Sequence, residues 1–367
     1  MRRSLFCLST ALSLLCLQGR AQQPIVPRLE RRVMIMETPV TTNCHASTIV
    51  ALGKGKLMAS WFGGSREGNK DVSIWIAVNE NGKWGEAREI ANGVINDTLR
   101  YPCWNPVLFK TKAGKLFLYY KVGPNPRLWW GMMMSSSNNG KTWSAPEKLP
   151  QGMLGPIKNK PLQLANGDIL YPSSTESADN KRWHIHLERS DRNARNWTRI
   201  PINNDTFGVI QPSILRYPHD SLQLLCRSRN NTVVQAWSKD NGHTWGPLSP
   251  TDLPNPNAGT DAVTLKNGLK VIVYNPLLPG NEWWEGRSRL YVAVSENGGN
   301  WQNVFALEDE KKGEYSYPAV IQTPEDDAVH ITYTADRKNI RHVVLQINRP
   351  EKPEVKKETE NENVEEE

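Results

Sequence analysis

The chain of 367 residues reads as all-β, a six-bladed β-propeller, and three features carry that reading. Six times a polar residue opens straight into an apolar run, at His45, Asn105, Lys160, Gln211, Asp261 and Tyr317. Successive openings lie 60, 55, 51, 50 and 56 residues apart, a period that fits one propeller blade. After each opening comes a turn rich in Gly, Asn or Asp and then a second apolar run, which makes each unit at least a hairpin. Late in most units stands a Ser-x-Asp-x-Gly-x-Thr-Trp pattern or a worn copy of it. If the six runs are the innermost strands, their first residues converge on one mouth of the axis.

Taken in order, Arg32 to Glu37 alternates as a lone strand ahead of the first blade. It is placed to pair with the last blade near Arg341 to Ile347, closing the ring and covering its exposed edges. Blade one turns at Gly53-Lys54-Gly55 into Leu57 to Phe62, and Asn79 to Trp84 keeps only the Gly and Trp of the late pattern. Blade two turns at Ala113-Gly114 into Lys115 to Tyr120, and Ser136 to Trp143 fits the pattern with Asn for Asp. Blade three turns at Asn166-Gly167-Asp168 into Ile169 to Tyr171, and Ser190 to Trp197 keeps the spacing without the Gly. Blade four turns at Pro218-His219-Asp220 into Leu222 to Cys226, and Ser238 to Trp245 fits at every fixed position. Blade five turns at Lys266-Asn267-Gly268 into Val271 to Tyr274, and Ser295 to Trp301 is one residue short. Blade six turns at Glu325-Asp326-Asp327 into Val329 to Tyr333 and has no copy. In the pattern an Asx side chain bonds backbone two residues on, Gly supplies positive φ and Trp is a ring to bury, so its role is structural.

The ends differ from the body. Residues 1–21 combine Arg2 and Arg3, an apolar stretch from Leu5 to Leu17 and Gly19-Arg20-Ala21, the make-up of a secretory signal peptide and too short to span a membrane. Cleavage is expected near Ala21, since Leu15 is too large for lipid attachment at Cys16; this implies export to the periplasm or the exterior. Residues 22–31 read as a linker, 32–348 as the propeller, and 349–367, with eight Glu against four Lys and Arg, as a disordered acidic tail. Cys44, Cys103 and Cys226 lack metal spacing and read as buried thiols, so neither a metal nor a cofactor is expected. The formal net charge of +7 suits an acidic substrate. Its cations are spread along all blades without a dense run, which speaks against nucleic acid.

The late pattern resembles the Asp-box of the sialidase-like (BNR repeat) propellers, and the Trp-Phe-Gly-Gly, Asn-Pro-Asn and Tyr-Ser-Tyr-Pro segments resemble the predicted-neuraminidase branch. That resemblance implies a glycan partner and an axial set of three carboxylate-gripping arginines, an Asp acid/base, and a Tyr nucleophile partnered by Glu. Laid on this chain, Tyr317 matches the nucleophile, and Gln211 stands where the partner Glu would be, able to orient a phenol but not to take its proton. Arg227 and Arg287 match two arginines, with Arg289 a close rival of Arg287. His45 stands for the third and could bond a carboxylate or act as a base. On the loop after Trp61, Asp71 is the acid/base by position and Glu67 the runner-up, with Arg66 beside them; either acid needs a raised pKa.

Asn105, Lys160, Glu176 and Asp261 are expected wall residues, with Lys160 and Asp261 able to bridge the channel or hold a sugar. Trp129-Trp130 and Trp283-Trp284 are candidates to stack on sugar rings. Three functions stay open. The first is an exported exo-glycosidase acting on a terminal, acidic sugar; the second is a uronate lyase using His45 or Tyr317 as base; the third is a glycan-binding propeller without turnover.

Overall fold

The structure, a computed structural model, describes residues 24–348 except 283 and 326. Residues 26–348 form one unit built of antiparallel sheets, and no helix occurs among the described residues. The other unit, residues 1–25 with 349–367, lies outside the described residues apart from 24 and 25, as do the leader, Cys16 and the acidic tail.

Each blade is a four-stranded meander, innermost strand first. Blade one is Asn43–Gly53, Lys56–Gly64, Ser73–Glu80 and Lys83–Trp84, with Arg88–Ala91 also on its third strand. Blade two is Cys103–Lys110, Leu116–Val122, Trp130–Ser136 and Glu147–Lys148; blade three is Leu162–Gln163, Ile169–Glu176, Trp183–Ser190 and Thr198–Pro201. Blade four is Val209–Arg216, Leu222–Ser228, Thr232–Ser238 and Ser249–Pro254; blade five is Asp261–Thr264, Lys270–Tyr274, Arg289–Ser295 and Gln302–Asp309. Blade six is Tyr315–Gln322, Val329–Ala335 and Asn339–Gln346, completed by Arg28–Met34 from the start of the chain. That closing strand pairs from Arg28 with Gln346 to Met34 with Arg341, so the expected closure is present, beginning four and ending three residues earlier than the sequence suggests.

Second strands are buried along their whole length in blades two, four, five and six, because sheets pack on both of their faces. The box tryptophans fill the seams between blades. Trp245 of blade four packs with Leu170 and Leu187 of blade three, and Trp143 of blade two packs with Met58 and Ile76 of blade one. In the intact boxes the Ser136 and Ser238 hydroxyls accept from the Gly140 and Gly242 amides at 2.9 Å, while Asn138 and Asp240 accept from the Thr142 and Thr244 amides at 2.9 Å. Cys44, Cys103 and Cys226 are buried free thiols.

Four innermost strands are bulged at their openings. The register slips between His45 and Thr48, opposite Trp104 to Val107, between Ile210 and Ser213, and between Ser316 and Ala319. The first extra residue in each has positive φ: Ala46 at 55°, Asn105 at 39°, Gln211 at 56° and Tyr317 at 53°. In three of these bulges it is followed by Pro, which can sit in a bulge because no ladder donor is needed there. This corrects the sequence alignment in blade one. The residue equivalent to Gln211 and Tyr317 is Ala46, and His45 takes the place of Ile210 and Ser316, one step earlier along the strand.

Candidate functional site

Antiparallel pairing brings each second strand back to the face where the first begins. Loops 65–72, 123–129, 177–182, 229–231, 275–288 and 336–338 therefore surround the openings, and the box turns lie at the far face. At the axis the bulge presents Tyr317, half-buried, to Arg227 from the end of Leu222–Ser228. Arg227 Nη1 donates to the Tyr317 hydroxyl at 2.5 Å, and its Nε donates to Asn257 Oδ1 at 2.9 Å. Gln211 bridges the two, its Nε2 donating to the Tyr317 oxygen at 3.5 Å and its Oε1 accepting from Arg227 at 3.4 Å. Among the described residues Arg227 forms no ion pair, which leaves its charge available to an incoming anion.

Beside it stand two more arginines. Arg287 Nη1 donates to Glu314 Oε1 at 3.0 Å and Nη2 to the Asn257 carbonyl at 3.1 Å. Arg337 Nε donates to Glu314 Oε2 at 2.8 Å, and its Nη1 pairs with Glu67. Burial works against the charge of Glu314, but Arg337, Arg287 and the Ser316 hydroxyl together outweigh it and hold the carboxyl below its ordinary range. Three guanidiniums from blades four, five and six thus share one corner with two carboxylates. Arg227 and Arg287, both expected from sequence, lie in this corner together with Arg337, Glu314 and Asn257, which the sequence reading did not single out. Arg337 lies in the tight 336–338 loop, and the place of that loop on the mouth face was the signal that could have found it.

His45 does not line the mouth. It is 1% exposed, its Nδ1 lies 2.9 Å from Thr334 Oγ1, and its ring packs 4.2 Å from that of Tyr317. Burial, then the charges of Arg337, Arg287, Arg227 and Lys158, push its pKa well below the usual imidazole value, so it is neutral near pH 7. Its Nε2 is sealed away without a hydrogen-bond partner. A buried, neutral imidazole can support Tyr317 but cannot supply the cation of a third arginine.

Under the same floor lies Lys158, also missed. Its ammonium donates to Asn159 Oδ1 at 2.8 Å, to the Thr260 carbonyl at 2.9 Å and to the Pro318 carbonyl at 2.6 Å, tying blades three, five and six together next to Tyr317. Three acceptors match three N–H bonds. Burial nevertheless pulls its pKa down to about 7.

Other expected residues fall elsewhere. Asp71 is exposed and caps its own loop, accepting from the Ser65 amide at 2.7 Å and the Ser65 hydroxyl at 2.9 Å. Its slight burial raises the pKa, but those bonds outweigh it and the net shift is downward, opposite to what an acid near neutral pH needs. Arg66 is exposed in the same turn, and Glu67 is spent on Arg337. Arg289 forms an exposed pair with Asp309 at 2.6 Å, so Arg287 is the one that faces Glu314 and Asn257. Lys160 and Asp261 bridge at 2.9 Å; Asp261 also accepts from Ser213 Oγ and the Ala262 and Val320 amides, which leaves it no capacity for a sugar. Asn105 is buried at its bulge.

Glu176, at the end of Ile169–Glu176, is half-buried near Arg227, Arg229 and Arg127. Burial raises its pKa more than those charges lower it. Burial thus favours its neutral form. Trp284 is an exposed ring on loop 275–288, whereas Trp283 lies outside the described residues. Among the described residues no group of three His, Cys, Asp or Glu side chains converges as a metal site requires, and no helix is long and apolar enough to cross a membrane.

Comparison with known proteins agrees with this architecture. Solved structures with the same fold include a protein of unknown function from Dyadobacter fermentans (15% identity, TM-score 0.68, covering 88% of this chain and 99% of that one). They also include the NanB sialidase of Streptococcus pneumoniae (12%, 0.65, 88% and 71%) and the Trypanosoma rangeli sialidase in complex with the inhibitor DANA (16%, 0.65, 86% and 59%). No curated protein matches in sequence. The family model of the BNR repeat-like domain matches residues 55–331, most of the propeller. The chain belongs to the BNR repeat-like family, and its fold is the sialidase-like six-bladed propeller.

Proposed function

We propose that this protein is an exported exo-glycosidase that removes a terminal acidic sugar from a glycan at the propeller axis. The observation that carries the reading is Arg227, a buried guanidinium without an ion pair among the described residues, donating at 2.5 Å to the Tyr317 oxygen. A sugar carboxylate on Arg227 sets the neighbouring anomeric carbon over Tyr317. The Tyr317 oxygen, its proton released to solvent, bonds to that carbon as the glycosidic C–O bond breaks. Glu176, whose raised pKa suits an acid, gives its proton to the departing oxygen in place of Asp71. Water then splits the glycosyl–tyrosine bond and returns a proton to Glu176.

One feature favours a second reading, a glycan-binding propeller without turnover: Gln211 cannot take the phenol proton. A lyase with His45 as base is disfavoured because His45 is sealed beneath Tyr317; one with Tyr317 as base is told apart by its unsaturated product. Tyr317→Phe separates the readings on a panel of acidic glycans, with release of reducing sugar and of unsaturated product both followed. The glycosidase predicts a loss of turnover of at least about a thousandfold with binding retained. Unchanged turnover removes Tyr317 from the mechanism, and binding without turnover in the unaltered protein makes it a lectin-like propeller.

A further inference from the structure

Between blades two and three, where Ile169–Glu176 ends, lies a cleft of about 680 Å³, within the range of small-ligand sites. Its walls carry Trp129, Trp130, Arg127, Lys148, Arg199 and Glu176. Among the described residues that line it, three cations face one carboxylate, so its potential is positive. Both tryptophans are half-buried, and Lys148 Nζ stands 5.1 Å from the Trp130 ring centre.

Two features join this cleft to the axial site. Glu176 lies in the cleft wall and within the field of Arg227. A row of ring contacts also runs from Tyr317 to His45 at 4.2 Å, His45 to Phe62 at 5.7 Å, Phe62 to Trp104 at 6.1 Å and Trp104 to Trp129 at 6.1 Å. These rings pack blades six, one and two together from Tyr317 to Trp129, and Glu176 is shared by the cleft wall and the surroundings of Arg227.

We propose that the cleft between blades two and three binds a second, anionic sugar unit, uronate- or sulfate-bearing, directly linked to the acidic unit held at the axis. The proposal rests on the axial reading above and deepens it: the substrate is an acidic oligosaccharide recognised over two units. Tryptophan faces take the sugar ring, and Arg127, Lys148 and Arg199 take its negative group. A neutral neighbour gains nothing from these exposed cations, whereas an anionic one does.

The test uses isothermal titration calorimetry on the intact protein. The probes are free hexuronic and nonulosonic acids, and disaccharides in which each acid is linked to a hexuronic acid, a sulfated hexosamine or a neutral hexose. Disaccharides with an anionic second unit should bind about tenfold or more tightly than the free acid, and that gain should shrink with added salt. The exposed pair Lys148→Ala with Arg199→Ala should abolish the gain and leave affinity for the free acid unchanged. A disaccharide no tighter than its free acid overturns the proposal, as does a gain that survives the double substitution or is equal for neutral hexose. Arg227→Ala tests the axial reading separately: if free-acid binding survives it, or no acid binds the unaltered protein, the axial reading fails and the two-unit proposal falls with it.

Discussion

At the scale of single residues the site is built on charges that burial displaces from their ordinary behaviour, and Lys158 is the sharpest case. In an unfolded chain its amine stays protonated up to about pH 10.5, whereas in the fold it sheds its proton near pH 7. Between those values the unfolded chain binds the additional proton. Stability therefore rises with pH across that window and is lost as pH falls towards 7. Lys158→Met deletes this group, so the slope of unfolding free energy against pH within the window should drop by about one proton, or ~1.4 kcal/mol per pH unit. Chemical denaturation of both proteins at several pH values measures the difference. Equal slopes would mean that the three acceptors keep Lys158 charged in the fold. None of this is visible in a linear reading, where Lys158 is one cation among many; its burial comes from three blades meeting over it.

At the scale of elements, the box turn is a device for joining neighbouring blades. Gly242 has φ of +79°, and a Cβ added to it would meet Leu170 Cδ1 of blade three at 2.8 Å and Leu222 Cδ1 at 3.2 Å. Gly114, in the first hairpin of blade two, has φ of +90° with nothing within 4 Å. Both Gly→Ala changes incur the left-handed backbone strain of ~1 kcal/mol, but only Gly242→Ala adds steric conflict at a seam. Thermal denaturation should show a loss about 1–2 kcal/mol larger for Gly242→Ala, and equal losses would reduce the box glycine to a turn residue. The repeat of openings, turns and boxes made the blades legible from sequence because each obeys a local rule. The bulges were not legible, since an extra residue changes no composition, and this is why His45 was set one place too far along its strand. Asp71 misled for a similar reason: its proximity to the site along the chain says nothing about its tie to Ser65.

For the whole molecule, the decisive feature is closure by Arg28–Met34. Its side chains are exposed along almost the entire strand, so it contributes little apolar burial and acts through its ladder to Asn339–Gln346. Among its side chains, Arg31 reaches across to the Gly82 carbonyl, in the box turn of blade one. The core begins just beyond it, where Ile35 and Met36 pack with Trp61 and Ile340. Removing residues 24–34 should therefore leave the core and the axial site intact while exposing the edge of Asn339–Gln346. The expected cost is about 2–4 kcal/mol, the net value of a few backbone hydrogen bonds less the entropy regained by the freed strand. An uncovered edge offers unpaired N–H and C=O groups to any other strand, so the shortened protein should also self-associate as its concentration rises. Light scattering across a dilution series, read beside thermal denaturation, tests both consequences. A shortened protein that stays monodisperse with an unchanged melting temperature would show that blade six stands on three strands, and that the ring is held by its seams alone.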